Sequence, residues 1–175
     1  MRKKRYSHPA FLVPFSIFSI SAVALAAAYF VQYAFKVEPC VLCLYQRIPY
    51  VVSGILGLVA LAVSCRRVRV VEAAGVVFGF GAAIAFYHVG VEQHWWASIA
   101  ACGADSVYRG AATVDELRQL LMSKNLIKAC DVVNWALFGV SMATYNVIVS
   151  LALAMGSFYG AVKIRGCSEQ SPKDI

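Results

Sequence analysis

Four long stretches almost free of charge organise the chain, each closed by basic or turn residues. The first covers residues 9–35, between Arg5 and Lys36, and the second covers 48–64, stopped by Arg66, Arg67 and Arg69. The third covers 70–91, and the fourth covers 135–162, closed by Lys163 and Arg165. About 20 apolar residues in helical form cross the hydrocarbon core of a bilayer. The pattern therefore predicts an all-α membrane protein, a bundle of four transmembrane helices forming a single integral membrane domain, with outer loops at about 36–47 and 92–134. Glu72, the one acid within the third stretch, lies near its start, where it can reach the interface and complement the helix N-terminus.

Composition sharpens this picture. Of the 175 residues 61% are hydrophobic and 14% charged, against roughly 45–50% and about 25% in ordinary soluble domains. That balance excludes a soluble globular protein, and little chain remains for a separate soluble domain. The start Met1-Arg-Lys-Lys-Arg5 with small residues at 24–28 would also suit a cleaved signal peptide. The apolar run continues through Tyr29, Phe30 and Val31, however, and three more spans follow, so an uncleaved first helix is expected. Basic residues in short flanks stay cytoplasmic. Most of the 16 Lys and Arg residues fall at the N-terminus (Arg2 to Arg5), at Arg66, Arg67 and Arg69, or in the tail (Lys163, Arg165, Lys173). Both termini and the second connection are thus expected inside, with the first and third connections facing the periplasm or its equivalent. The net charge of +7 reads as topology and not as nucleic-acid binding, because no basic stripe accompanies a soluble recognition element.

Topology sorts the 6 cysteines. Cys65 and Cys167 fall on the cytoplasmic side, where thiols stay reduced, and are read as bystanders. Cys40, Cys43, Cys102 and Cys130 fall outside, where disulfides persist. Cys40-Val-Leu-Cys43 is a C-x-x-C at the outer mouth of the second helix, preceded by Pro39, which suits a first-turn position. Thiols there feel unpaired backbone N–H groups and the positive end of the helix dipole. Arg47, four residues after Cys43, can lie one turn away and favour the thiolate further. These features describe a reactive dithiol. A structural disulfide and half of a metal site are the alternatives, although structural zinc sites offer two close pairs and Cys102 and Cys130 lie far apart in sequence.

Cys102 and Cys130 bracket the long outer loop. Within it, Thr113-Val-Asp-Glu116 fits a capping box, and Val114, Leu117, Leu120 and Leu121 share a face opposite Arg118, Lys124 and Asn125. A short amphipathic helix on the outer membrane surface is expected there. Trp95 and Trp96 read as interfacial anchors, and Pro49 as a kink near the start of the second helix. Gly75, Gly79 and Ala83, spaced by four, read as a close helix contact. His88, near the outer end of the third helix, is a candidate for hydrogen bonding or proton movement.

Three stretches, 39–50 (PCVLCLYQRIPY), 87–92 (YHVGVE) and 130–143 (CDVVNWALFGVSMA), together with the four spans, resemble the DsbB family of disulfide bond formation proteins over nearly the whole chain. The resemblance implies a quinone-dependent thiol oxidoreductase of the bacterial inner membrane. A reduced thioredoxin-fold dithiol oxidase of the periplasm, DsbA-like, would attack a Cys102–Cys130 disulfide through Cys102, and Cys130 would pass electrons toward Cys40. Cys43 would face ubiquinone or menaquinone from the membrane pool, with Arg47 polarising a quinone oxygen and His88 as a further quinone-side residue. No metal is implied. The rivals are a vitamin K epoxide reductase-like enzyme, in which the quinone-side C-x-x-C lies in the last helix of the core bundle, a disulfide-held tetraspan scaffold without catalysis, and a thiol-ligated metal protein.

Overall fold

The computed structural model describes residues 8–37, 39–63, 65–96, 113–115, 130 and 136–169. Helix α1 (His8–Ala34) leads through an irregular link to a short helix α2 (Val41–Tyr45), which runs into α3 (Arg47–Ala62) with only Gln46 between them. Pro49 explains the break: it lacks the N–H that would bond the carbonyl of Tyr45, and its ring would crowd that carbonyl. It stands in the first turn of α3, where a missing donor costs nothing. Helix α4 (Arg67–Glu92) follows, then two short antiparallel strands, β1 (Ala136–Leu137) and β2 (Val140–Ser141), and the long helix α5 (Met142–Glu169).

Helices α1, α3, α4 and α5 pack in a ring, each against the next, and α5 closes back on α1. Four segments are long and apolar enough to cross a membrane: Pro9–Ala34, Val41–Ala62, Arg67–Glu92 and Met142–Arg165. The second thus begins well before residue 48, because the helical course resumes directly after Gln46. The fourth begins at Met142 and not near residue 135. Phe138 (φ 52°) and Gly139 (φ 80°) both adopt left-handed backbone and turn the chain in a two-residue hairpin. Ser141 then receives the N–H of Thr144 on its hydroxyl at 3.3 Å and starts the helix. The Phe-Gly dipeptide was the available signal, hidden in an otherwise apolar run. Of the amphipathic helix expected after Thr113, all but residues 113–115 lie outside the described residues, and those three are exposed.

The bundle carries its large side chains outside. Phe80, Met155, Tyr159 and Phe30 are exposed, whereas Ala60, Ala74, Ala85, Ser53, Ser150 and Ser157 are buried. In lipid there is no hydrophobic penalty for that arrangement, and small residues let helix backbones approach closely. At Gly57 a Cβ would lie 3.0 Å from the carbonyl oxygen of Pro14 and from the backbone nitrogen of Phe18, so any larger residue would push the backbones of α3 and α1 apart. Gly75 similarly faces Ser157 and Phe158 of α5 at 3.2 Å. Gly79 meets nothing and Ala83 is exposed, so the expected spacing-of-four contact reduces to Gly75. The reason is that α4 turns its other small residues to other neighbours, with Gly81 set against Pro49.

The end of the bundle that holds the α3–α4 connection is tied by arginines. Arg67, buried, donates from Nε to the carbonyl of Ala60 at 2.8 Å. Arg165 pairs with Glu72 at 2.5 Å, which gives that acid a partner on α5 beyond its place near a helix start.

Candidate functional site

The site lies at the opposite end, and the break between α2 and α3 builds it. Cys40 is the N-cap of α2, in extended conformation, and its sulfur accepts the N–H of Cys43 at 3.3 Å. The same turn folds the two thiols together: the Cys40 thiol donates to the Cys43 sulfur at 2.9 Å. Cys40 is fully buried, while Cys43 is only partly so. Its hydrogen bond to Cys43 and its burial push the Cys40 thiol up to about 12. The pair therefore holds its shared proton on the inner sulfur and leaves the outer one as acceptor.

His88 stands behind this dithiol. It is 3% exposed, with Nε2 3.6 Å from the Cys40 sulfur and 3.7 Å from Glu92 Oε1. Its Nδ1 accepts from Gln46 Nε2 at 2.7 Å. Gln46 Oε1 accepts in turn from Asn146 Nδ2 at 2.6 Å, and Asn146 Oδ1 accepts from Tyr50 at 2.5 Å and from Ser150 at 3.2 Å. One chain of hydrogen bonds thus joins Cys40 on the α2 cap to α4, to the α2–α3 junction and to α5. Every buried polar group in it has a partner, as a low-dielectric setting requires. The exception is Glu92, whose side chain is 6% exposed and whose Oε2 has no hydrogen-bond partner.

A cavity of about 320 Å³ opens beside the dithiol between α1, α3 and α5. Its wall is largely apolar, with alanines and valines of α1 and α5, and its polar groups are few: Cys43, Gln46, Arg47, His88, Glu92 and Asn146 among them. A largely apolar ligand with a few polar atoms suits such a lining, since a few convergent polar groups orient what the apolar walls bind. Arg47 was expected to favour the Cys43 thiolate. The structure turns its guanidinium to α1 instead, where Nη1 donates to Gln32 Oε1 at 2.8 Å and Cζ sits 4.7 Å from the Tyr29 ring centre. The side chain is thereby held as part of the cavity wall, available to what enters the cavity.

Of the residues singled out by sequence, Cys40, Cys43, Arg47 and His88 come together here. Cys130 is fully buried and packs in one small cluster with Cys40, Leu42 and Val91. Cys102 lies outside the described residues. Trp95 and Trp96 gather with Phe86 and Tyr87 at the end of α4, and the Trp96 indole donates to the carbonyl of Tyr87 at 3.1 Å. Gln46, Tyr50, Asn146 and Glu92 were not placed in the site by sequence. Two signals could have found them: Glu92 follows His88 by one helical turn, and Asn146 is a lone amide in an apolar span, where a polar side chain asks for a partner.

A helical multi-pass membrane protein that sets a C-x-x-C at a helix mouth, with a third cysteine and an imidazole against it, is of the disulfide oxidoreductase class. The chain belongs to the DsbB family, described as disulfide bond formation protein DsbB, which it matches over residues 11–160. Among its relatives, Disulfide bond formation protein B of Xylella fastidiosa (strain 9a5c) is 30% identical over 137 residues, covering 75% of this chain and 78% of the relative. The protein of the same name in Xanthomonas campestris pv. campestris (strain 8004) is 28% identical over 155 residues, covering 85% and 88%. An uncharacterized protein of Rickettsia prowazekii is 25% identical over 153 residues, covering 87% and 86%. No solved structure matches the chain.

Proposed function

We propose that this disulfide-forming membrane protein is a quinone-dependent thiol oxidoreductase that reoxidises a DsbA-like dithiol oxidase. The observation that carries the reading is the wall of the cavity, where Cys43 and Arg47 share an apolar chamber while Cys40 and Cys130 lie together behind it. Bound there, a quinone (ubiquinone or menaquinone) supplies a two-electron acceptor, matched to the two electrons of a dithiol. Arg47 and His88 are the residues that would hold its oxygens, and a cation beside an oxygen that gains negative charge lowers the cost of that charge.

The chain's own groups do the rest. The soluble partner's thiolate attacks a Cys102–Cys130 disulfide at Cys102, forming a mixed disulfide with Cys102 and releasing Cys130 as the thiolate. Cys130 then attacks Cys40 of a Cys40–Cys43 disulfide, that S–S bond breaks, and Cys43 departs as the thiolate with the electron pair. The partner's second thiol closes its own disulfide by displacing Cys102, and Cys102 attacks Cys130 to restore Cys102–Cys130 and release Cys40 as the thiolate. His88 Nε2, 3.6 Å from the Cys40 sulfur, keeps the ring proton because Nδ1 accepts from Gln46, and so can donate a hydrogen bond to Cys40 when that sulfur is released as the thiolate. The arginine-tied end and both termini are assigned to the cytoplasm, and the cysteine end to the periplasmic face of the bacterial inner membrane, on the distribution of basic residues.

The test mixes the purified oxidised protein with a reduced thioredoxin-fold partner and a soluble quinone and follows quinone absorbance. Turnover in wild type that vanishes in Cys43→Ser is the expected result. A well-folded wild type without turnover would sink the proposal.

A further inference from the structure

Three potential ligands for a metal ion converge where the dithiol meets α4, and a carboxylate stands beside one of them. The sulfurs of Cys40 and Cys43 and a ring nitrogen of His88 all lie within 4.8 Å of one another. Glu92 adds a carboxylate whose Oε1 is 3.7 Å from His88 Nε2 and whose Oε2 is buried without a partner. An unpaired carboxylate oxygen buried beside thiols and an imidazole is costly unless something cationic binds it. We propose that the dithiol form of this site binds a single thiophilic divalent cation of the zinc class through Cys40, Cys43, His88 and Glu92.

The dimensions fit. Zinc bonds of about 2.3 Å to sulfur and 2.0–2.2 Å to nitrogen and oxygen place tetrahedral ligands roughly 3.4–3.8 Å apart. Of the six edges of such a tetrahedron two are already near that length, Cys40 to His88 at 3.6 Å and His88 to Glu92 at 3.7 Å; Glu92, outside the mutually close set of Cys40, Cys43 and His88, must swing its carboxylate toward the sulfurs to complete the site. The edge between the sulfurs must open from 2.9 Å by under about 1 Å, which the loss of the thiol proton allows, because two thiolates no longer share a hydrogen bond. Binding releases the two thiol protons and changes no oxidation state. Two thiolates, a carboxylate and a neutral imidazole around a dication leave one net negative charge, and Arg47 stands on the wall of the same cavity.

The surroundings suit a ligating histidine. A metal on Nε2 requires the proton on Nδ1, and the ligand is strengthened when that N–H meets an acceptor. Gln46 can present its oxygen by exchanging the two ends of its amide, ends that are assigned from the hydrogen-bond network. The whole chain can then reverse: Gln46 donates to Asn146 Oδ1, and Asn146 donates to the hydroxyls of Tyr50 and Ser150, which accept as readily as they donate. Cys43 and Glu92 both line the cavity, which supplies the path of entry. Metal binding itself does not depend on quinone use; only its consequence, a block on thiol exchange, rests on the reading above.

The test uses the full chain in detergent, reduced with a phosphine, titrated with zinc and then alkylated, with each cysteine quantified by mass spectrometry. Cys43 should become protected with a stoichiometry of one metal per chain, while exposed Cys65 does not, and the disulfide form should bind none at this site. His88→Ala and Glu92→Gln should each raise the zinc needed for half-protection at least about tenfold, and Gln46→Leu about 10- to 100-fold. Glu92→Gln preserves side-chain shape, so its effect is not one of misfolding. Protection equal to wild type in both His88→Ala and Glu92→Gln, or none in the reduced wild type at large zinc excess, would overturn the site, whatever the outcome of the quinone assay.

Discussion

The two ends of the bundle solve the same problem in opposite ways. Towards the arginine end, α1 and α3 close tightly on Gly57, where a Cβ would press on two backbone atoms, and the ends are tied by Arg67 on Ala60 and Arg165 on Glu72. At the cysteine end the second span is broken at Gln46, the helices part around a cavity, and the space between them is bridged by side-chain amides and hydroxyls. Packing that leaves no gap holds the helices together without needing polar groups. A gap can be kept open only if the buried polar groups facing it satisfy one another. The comparison teaches that the site is a deliberate interruption of the packing, placed where Pro49 already prevents a continuous helix.

The sharpest way to break this contrast is to add bulk at each end. Gly57→Val puts methyl groups where a bare Cβ already sits 3.0 Å from two backbone atoms, and should cost about 1–3 kcal/mol with a clearly lower unfolding midpoint in detergent. Ala28→Leu, on the cavity wall, should leave the midpoint near that of wild type and raise the quinone KM, because the added carbons enter empty space. Equal destabilisation by both changes would mean that the cavity is an ordinary part of the packed interior.

A second change separates the cavity wall from the thiols. Arg47 is anchored by Gln32 and Tyr29 of α1 and makes no hydrogen bond to Cys43 among the described residues. Arg47→Ala should therefore slow quinone reduction by up to roughly 100-fold while leaving thiol exchange with the soluble partner much less affected. Single-turnover measurement of the two half-reactions decides this, and equal loss in both would return Arg47 to the role of stabilising the thiolate directly.

That correction shows what the sequence could carry. The spans and the C-x-x-C at a helix mouth were legible, because length without charge and a motif at a fixed helical position each dictate geometry locally; the packing of His88 against Cys40, from a helix distant in sequence, was not. The hairpin at Phe138 and Gly139 was not, since a left-handed turn inside an apolar run leaves hydrophobicity unchanged. Nor was the direction of Arg47: a residue one turn after a thiol can reach it, but Gln32 and Tyr29, from a helix distant in sequence, offered better partners. The amide chain from His88 through Gln46 to Asn146 is likewise a product of three elements meeting, and single residues in separate segments do not announce their partners.

The smallest effect is expected at the arginine end. Arg165 and Glu72 form the shortest ion pair in the described residues, at 2.5 Å, yet the arginine side chain is 57% exposed and the glutamate 30%. Water and salt screen such a pair, and ordering two long side chains offsets much of the attraction, so the net contribution is about 0–1 kcal/mol. Arg165→Ala should shift the unfolding midpoint slightly at low salt and not at all at high salt, with turnover unchanged in either. A large loss on Arg165→Ala would mean that this end is held by its charges and not by the glycine contacts at its helix crossings, and the contrast between a packed end and a bridged end would fail.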